Sequence, residues 1–217
     1  MDSSLGDPGS KTHEKWKRLM IGAAASLAVA SIAGGIYLFT APQKIQIPEK
    51  VCSEKLAGAQ VEKLLPSEGE PQFTEETYGG NFGWVDYTIS KGNCTLSAGQ
   101  ETVNVWYLYR HGDTYPQEEV QEDRRRVEWG EEYGYYEDGA FFMFVGCPRS
   151  THDDQGKLQL AVRSSRAERS QSDAGKDISE LASLTASVTR TLVTDMFKCR
   201  SAESLPEGPV EFSGDQP

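Results

Sequence analysis

The sequence predicts an α+β fold, an antiparallel sheet of about five strands with packed helices, preceded by one transmembrane helix. Three observations carry this expectation. Met20–Ala41 is a 22-residue apolar run without a charge. From residue 84 onward, several segments alternate apolar and polar residues or are β-branched throughout. Near the end, Ile178, Leu181, Leu184, Val188, Leu192 and Met196 recur at steps of three and four.

The apolar run rises ~33 Å as a helix, enough to cross a hydrocarbon core of roughly 30 Å. It is longer than the ~7–15-residue core of a cleavable signal, and Pro42 directly after Ala41 disfavours cleavage there. No cysteine follows the run directly, since Cys52 lies farther on. Lys11, Lys15, Lys17 and Arg18 precede it, which keeps the N-terminus in the cytoplasm. The expected organisation is a cytoplasmic tail at 1–18, a membrane helix at 19–41, a linker at 42–51, an extracytoplasmic domain at 52–199 and a disordered acidic tail at 200–217. Gly22, Ser26, Ala30 and Gly34 form a small-residue ladder along one helix face, the geometry by which two such helices pair as a homodimer.

Within the domain, residues 53–66 place Leu56, Ala57, Val61, Leu64 and Leu65 on one helical face, with Ser53 as N-cap and Pro66 as the stop. Residues 69–83 are Gly-rich and polar and read as a loop. WVDYTIS (84–90) alternates, KGN (91–93) reads as a turn, CTLSA (94–98) as a short strand and TVNVWYLYR (102–110) as a long one. Residues 116–129 open with Pro116 and run from acids to Arg124–Arg126, a charge order that suits a helix. GAFFMFVGC (139–147) is almost wholly apolar and reads as a central strand; KLQLAVRSS (157–165) follows as another. The 178–196 helix closes the domain.

The whole chain carries a net charge of −11. An acidic surface disfavours nucleic acid and anionic lipid as partners. Cys52, Cys94, Cys147 and Cys199 all lie beyond the apolar run, and four cysteines on the oxidising side imply two disulfides. Three pairings are open. Cys52–Cys94 with Cys147–Cys199 is favoured because each ties a helix end to a nearby strand.

The motifs of Ser hydrolases, zincins, EF-hands, P-loops and dinucleotide folds are missing, so neither cofactor nor metal is expected. His111 and His152, the histidines beyond the apolar run, sit in turn-like HGD and HDD contexts. Asn93-Cys94-Thr95 has the form of a glycosylation sequon by coincidence. The segment 113–138 collects ten carboxylates and three arginines around Trp129, Tyr133, Tyr135 and Tyr136. Aromatics among carboxylates suit a cation, a sugar or a basic patch, and these four residues are the candidate partner-binding surface.

CSEKLAGAQVEKLLP after the anchor, FFMFVGCP and the terminal MFKC together resemble membrane-anchored secreted proteins of unknown function from streptomycete-type actinobacteria, with a four-Cys α+β extracytoplasmic domain. The resemblance implies a bacterial cell-surface setting and carries over no catalytic residue. The expected function is a noncatalytic binding module of the cell envelope, fixed to the cytoplasmic membrane by its single pass. Its partner is then an envelope protein or a cell-wall ligand. The alternative is an envelope hydrolase acting on a cell-wall component through acidic residues or histidine.

Overall fold

The computed structural model describes residues 43–78, 82, 89–111, 125–148, 156–169 and 175–213. The expected membrane helix at 19–41 lies outside them, and among the described residues no helix is long and apolar enough to cross a membrane. The domain is α+β, and among the described residues its antiparallel sheet holds eight strands rather than about five.

The expected linker belongs to the domain. Ile45 is buried and its N–H donates to the Ser67 carbonyl at 2.8 Å. Strands β1 (Lys50–Val51) and β2 (Leu56–Ala57) form a small hairpin. The helix expected at 53–66 shrinks to α1 (Gly58–Val61) and a 3-10 turn at Glu62–Leu64. Its first residues cannot join it, because Cys52, Ser53 and Glu54 are all left-handed, with φ of 55°, 55° and 66°. Ser53 is therefore a turn residue, not an N-cap. Its N–H donates instead to Glu75 Oε1 at 2.9 Å.

The sheet comprises β3 (Thr74–Tyr78), β4 (Ile89–Ala98), β5 (Glu101–His111), β6 (Arg125–Trp129), β7 (Glu132–Glu137), β8 (Ala140–Gly146), β9 (Gly156–Ser164) and β10 (Glu211–Phe212). Their order is β10-β6-β7-β8-β9-β5-β4-β3, so β8 and β9 are central as their apolar composition requires. Four sequence expectations give way here. β3 lies in the expected loop. KGN does not turn but continues β4, and a Cβ on Gly92 would stand 2.5 Å from the Tyr107 ring that lies against it. The end of the expected 116–129 helix is strand β6; residues 116–124 lie outside those described. Finally, Arg200–Ser204 forms a 3-10 turn and β10 pairs with the β6 edge, so residues 200–213 are ordered.

Helix α2 (Ser165–Arg169) follows β9, and α3 (Lys176–Thr191) continues as a π turn over Leu192–Met196. Ile178, Leu181, Leu184, Val188 and Leu192 are buried on one face of the sheet together with Val105, Phe141, Met143, Leu160 and Val162. Full burial of such side chains is worth about 1.5–3 kcal/mol each. The π turn carries Phe197 under the sheet, where it stacks on Tyr109 at 5.0 Å and meets Tyr107 edge-on at 5.5 Å. The α2 backbone packs so closely on the β7–β8 turn that a Cβ on Gly139 would stand 2.5 Å from Glu168 N. Asp138 and Gly139 have φ of 46° and 75°, the two positive angles of a type I′ hairpin.

Cys52 bonds Cys94 and Cys147 bonds Cys199, the favoured pairing, with Cα separations of 5.5 and 4.7 Å. The second ties the end of the α3 segment to the end of β8, as anticipated. The first ties a turn to the middle of β4, since Cys52 precedes no helix directly. Replacing Cys147 and Cys199 together by Ser is expected to lower stability by ~2–5 kcal/mol in urea titration. A loss below about 0.5 kcal/mol would mean that the bridge does not hold α3 in place.

Candidate functional site

Among the described residues the helices cover one face of the sheet, yet β7 and β8 are apolar on both. Period-two alternation therefore divides the four aromatics expected to form one surface. Trp129 and Tyr136 belong to the helix-covered layer, at 3% and 8% exposure. The Arg190 guanidinium lies 5.2 Å from the Trp129 ring centroid. Tyr136 packs on Phe141 at 4.9 Å, and its hydroxyl donates to the Ala167 carbonyl at 3.3 Å. Tyr133 and Tyr135 belong to the opposite face, so the structure does not bring the four together.

On that face, Tyr133 and Tyr135 join Phe142 and Phe144 in a separate cluster. Tyr133 stacks on Phe144 at 5.4 Å, and Tyr135 on Phe142 at 4.5 Å with 15° between the planes. Since Tyr135 and Phe142 are directly paired across neighbouring strands, near-parallel rings at this spacing must stand up from the sheet like plates.

The cross-strand register places this cluster in a longer row. Asn93 of β4, Trp106 of β5, Ala161 of β9, Phe142 of β8 and Tyr135 of β7 lie abreast. Two inter-strand steps of ~4.8 Å separate Trp106 from Phe142, about 10 Å in all. Among the described residues the register places only the methyl group of Ala161 between them. The adjacent row runs Asn104, Arg163, Ala140, Glu137 and repeats the device with a second alanine. Together the rows enclose a cavity of about 380 Å³, lined by Asn104, Trp106, Glu137, Asp138, Ala140, Phe142, Ala161 and Arg163.

Its polar groups are held in place. Asn104 Nδ2 donates to Asn93 Oδ1 at 2.7 Å and to Thr95 Oγ1 at 2.8 Å, which commits both amide hydrogens and leaves the carbonyl oxygen as its acceptor. Asn93 of the sequon thus lies inside β4 as a cross-strand partner. Arg163 Nη2 donates to Glu168 Oε1 at 2.8 Å, leaving the remaining guanidinium hydrogens for other acceptors. Asp138 is exposed at the tip of the β7–β8 turn. Among the described residues no three His, Cys, Asp or Glu side chains gather as a metal site. His111 ends β5, and His152 lies outside the described residues.

The carboxyl group with an altered affinity for protons lies elsewhere. Glu132 Oε2 accepts the Gly146 N–H at 3.0 Å. Burial raises its pKa above 4.5, opposed in part by that hydrogen bond and by Lys157. Burial, and then the Glu132 charge, raises that of the Tyr133 hydroxyl too. The hydrogen bond gives Glu132 a structural task, closing the end of the β7–β8 ladder.

Trp106, Phe142, Ala161, Asn104, Arg163 and Asp138 are the residues that the sequence reading did not select. A signal for Trp106 was present: in TVNVWYLYR the inward set is Val103, Val105, Tyr107 and Tyr109, leaving Asn104, Trp106, Leu108 and Arg110 on the other parity. A tryptophan there needs an explanation outside the core. The chain matches no family model, and no curated protein or solved structure is significantly similar to it.

The raised Glu132 pKa fixes the sign of one pH effect. Below the ordinary Glu range the carboxyl is protonated in both folded and unfolded chains, and it adds no pH-dependent term. As pH rises through the raised native value, the folded state must ionise a desolvated group and stability falls. The stability of the wild type relative to Glu132→Gln is therefore expected to decline from acid to neutral pH in urea titrations. A difference that grows with pH would show that the ionised carboxylate is the form the fold favours.

Proposed function

We propose that this chain is a noncatalytic binding module of the bacterial cell envelope, and that it recognises its partner through the face of the sheet opposite α3. The observation that carries the reading is the aromatic-walled cavity over Ala161, where Trp106 and Phe142 remain partly exposed. A cavity combining apolar walls with a few positioned polar groups is the usual form of a ligand site. Tyr133 and Tyr135 retain a part in this reading, as the ladder that braces Phe142. Trp129 and Tyr136 leave it, because they are structural.

The setting follows from the sequence. Residues 19–41 hold the chain in the cytoplasmic membrane by a single pass, with the N-terminus inside and the domain in an extracytoplasmic, oxidising space. The two disulfides of the domain are consistent with such a compartment. A streptomycete-type actinobacterium fits the resemblance noted above. The partner is then an envelope protein or a cell-wall component.

Photo-cross-linking on intact cells, followed by identification of what is captured, tests this reading. Trp106→Ala combined with Phe142→Ala is expected to reduce capture by about tenfold or more, the cost of removing central aromatic anchors. Ser183→Ala, on the exposed side of α3, is expected to leave it intact. Unchanged capture by the double variant would refute the assignment of this face.

A further inference from the structure

Resting on the reading of the face opposite α3 as a recognition surface, we propose that the cavity between Trp106 and Phe142 is a saccharide subsite that takes one uncharged sugar ring of a glycan.

The first argument is shape. Phe142 stands as a plate, held upright by Tyr135 stacked at 4.5 Å on the side away from Ala161. Its other side looks across Ala161 toward Trp106, about 10 Å away. Carbon atoms in contact need ~3.5–4 Å, so the gap admits one ring and no more. A sugar ring presents C–H groups on both faces and hydroxyl groups around its edge. An aromatic plate on one side, the Trp106 side chain on the other and polar groups along the rim match that distribution. The volume of about 380 Å³ lies at the small end of the ~300–1,000 Å³ range of ligand sites.

The second argument is the sign of the rim. Asp138 and Glu137 stand on one side and Arg163 on the other. Two carboxylates oppose an anionic ligand, and a guanidinium in the wall opposes a free organic cation. Hydroxyl groups donate and accept at once, so they satisfy the Asn104 carbonyl and the carboxylates as acceptors and Arg163 as a donor. The net charge of −11 repels anionic polymers at long range, which places the glycan among uncharged ones.

The test is titration calorimetry of the full chain in lipid nanodiscs against three probes: maltotriose, cellotriose and the N-acetylglucosamine trimer. At least one is expected to bind. Trp106→Ala and Ala161→Phe should each weaken it by about tenfold or more. The second variant plugs the gap without deleting a contact, and an unchanged urea midpoint would show that either variant remains folded. Ser183→Ala should stay within about twofold of wild type. Absence of binding by all three probes overturns the saccharide assignment, as does binding that Ala161→Phe leaves intact. An oligolysine peptide that binds in a Trp106-dependent way would overturn it while sparing the reading of the face. If cross-linking on cells is also independent of Trp106, both fall together.

Discussion

Everything in this domain depends on one helix seated on one side of a sheet. The apolar stripe of α3, from Ile178 to Leu192, covers the inner faces of the central strands. The strands then carry two unlike sets of residues, an inner one sealed beneath the helix and an outer one in which Trp106 and Phe142 stay partly exposed beside the buried Tyr135 and Phe144. The inner set is large and tightly packed: Tyr107 and Tyr109 are fully buried and share Phe197 between them. Cys147–Cys199 fixes the far end of the helix segment to β8, and Cys52–Cys94 fixes the N-terminal hairpin to β4. Both bridges restrict the unfolded chain as well as position the folded one.

What the seat of α3 does not cover becomes the interesting surface. On the outer face the aromatics of β7 and β8 stack on one another, and that stacking orients Phe142. The small residues Ala161 and Ala140 then keep the floor low between taller neighbours. A cavity arises on a sheet, where a flat surface is the ordinary outcome, because side-chain size varies across the strands in register. The charge of the rim is mixed although the chain as a whole is acidic. Local complementarity therefore comes from a few fixed groups, while net charge acts on what approaches from a distance.

The long elements were legible in the sequence because each carries one signal without conflict. TVNVWYLYR alternates, AFFMFVG is a short continuous apolar run, and the stripe from Ile178 onward keeps a helical period; all three form the elements expected of them. The elements that escaped do not. β3 reads TEETY with Thr74–Thr77 exposed, so as an edge strand it has no buried face to leave a pattern. β6 has Val127 and Trp129 inward and Glu128 outward, a strand pattern too short to outweigh the helix-like charge order upstream. Gly92 reads as a turn residue, whereas its role is to make room for a ring. The aromatic site was half legible. Residue type pointed to the right neighbourhood, but only the alternation of β6 and β7 in their register shows that Trp129 and Tyr136 face away from Tyr133 and Tyr135.

The central claim is that the two faces of the sheet differ in their access to solvent. Hydroxyl-radical footprinting of the full chain measures this directly, side chain by side chain. Trp106 and Phe142 are expected to be oxidised readily, and Trp129 and Met143 to stay protected while the domain is folded. Met143 is the sharper probe, since its thioether is intrinsically reactive and only burial shields it. Oxidation of Met143 and Trp129 at the rate of Trp106, or protection of Trp106 and Phe142, would contradict the account.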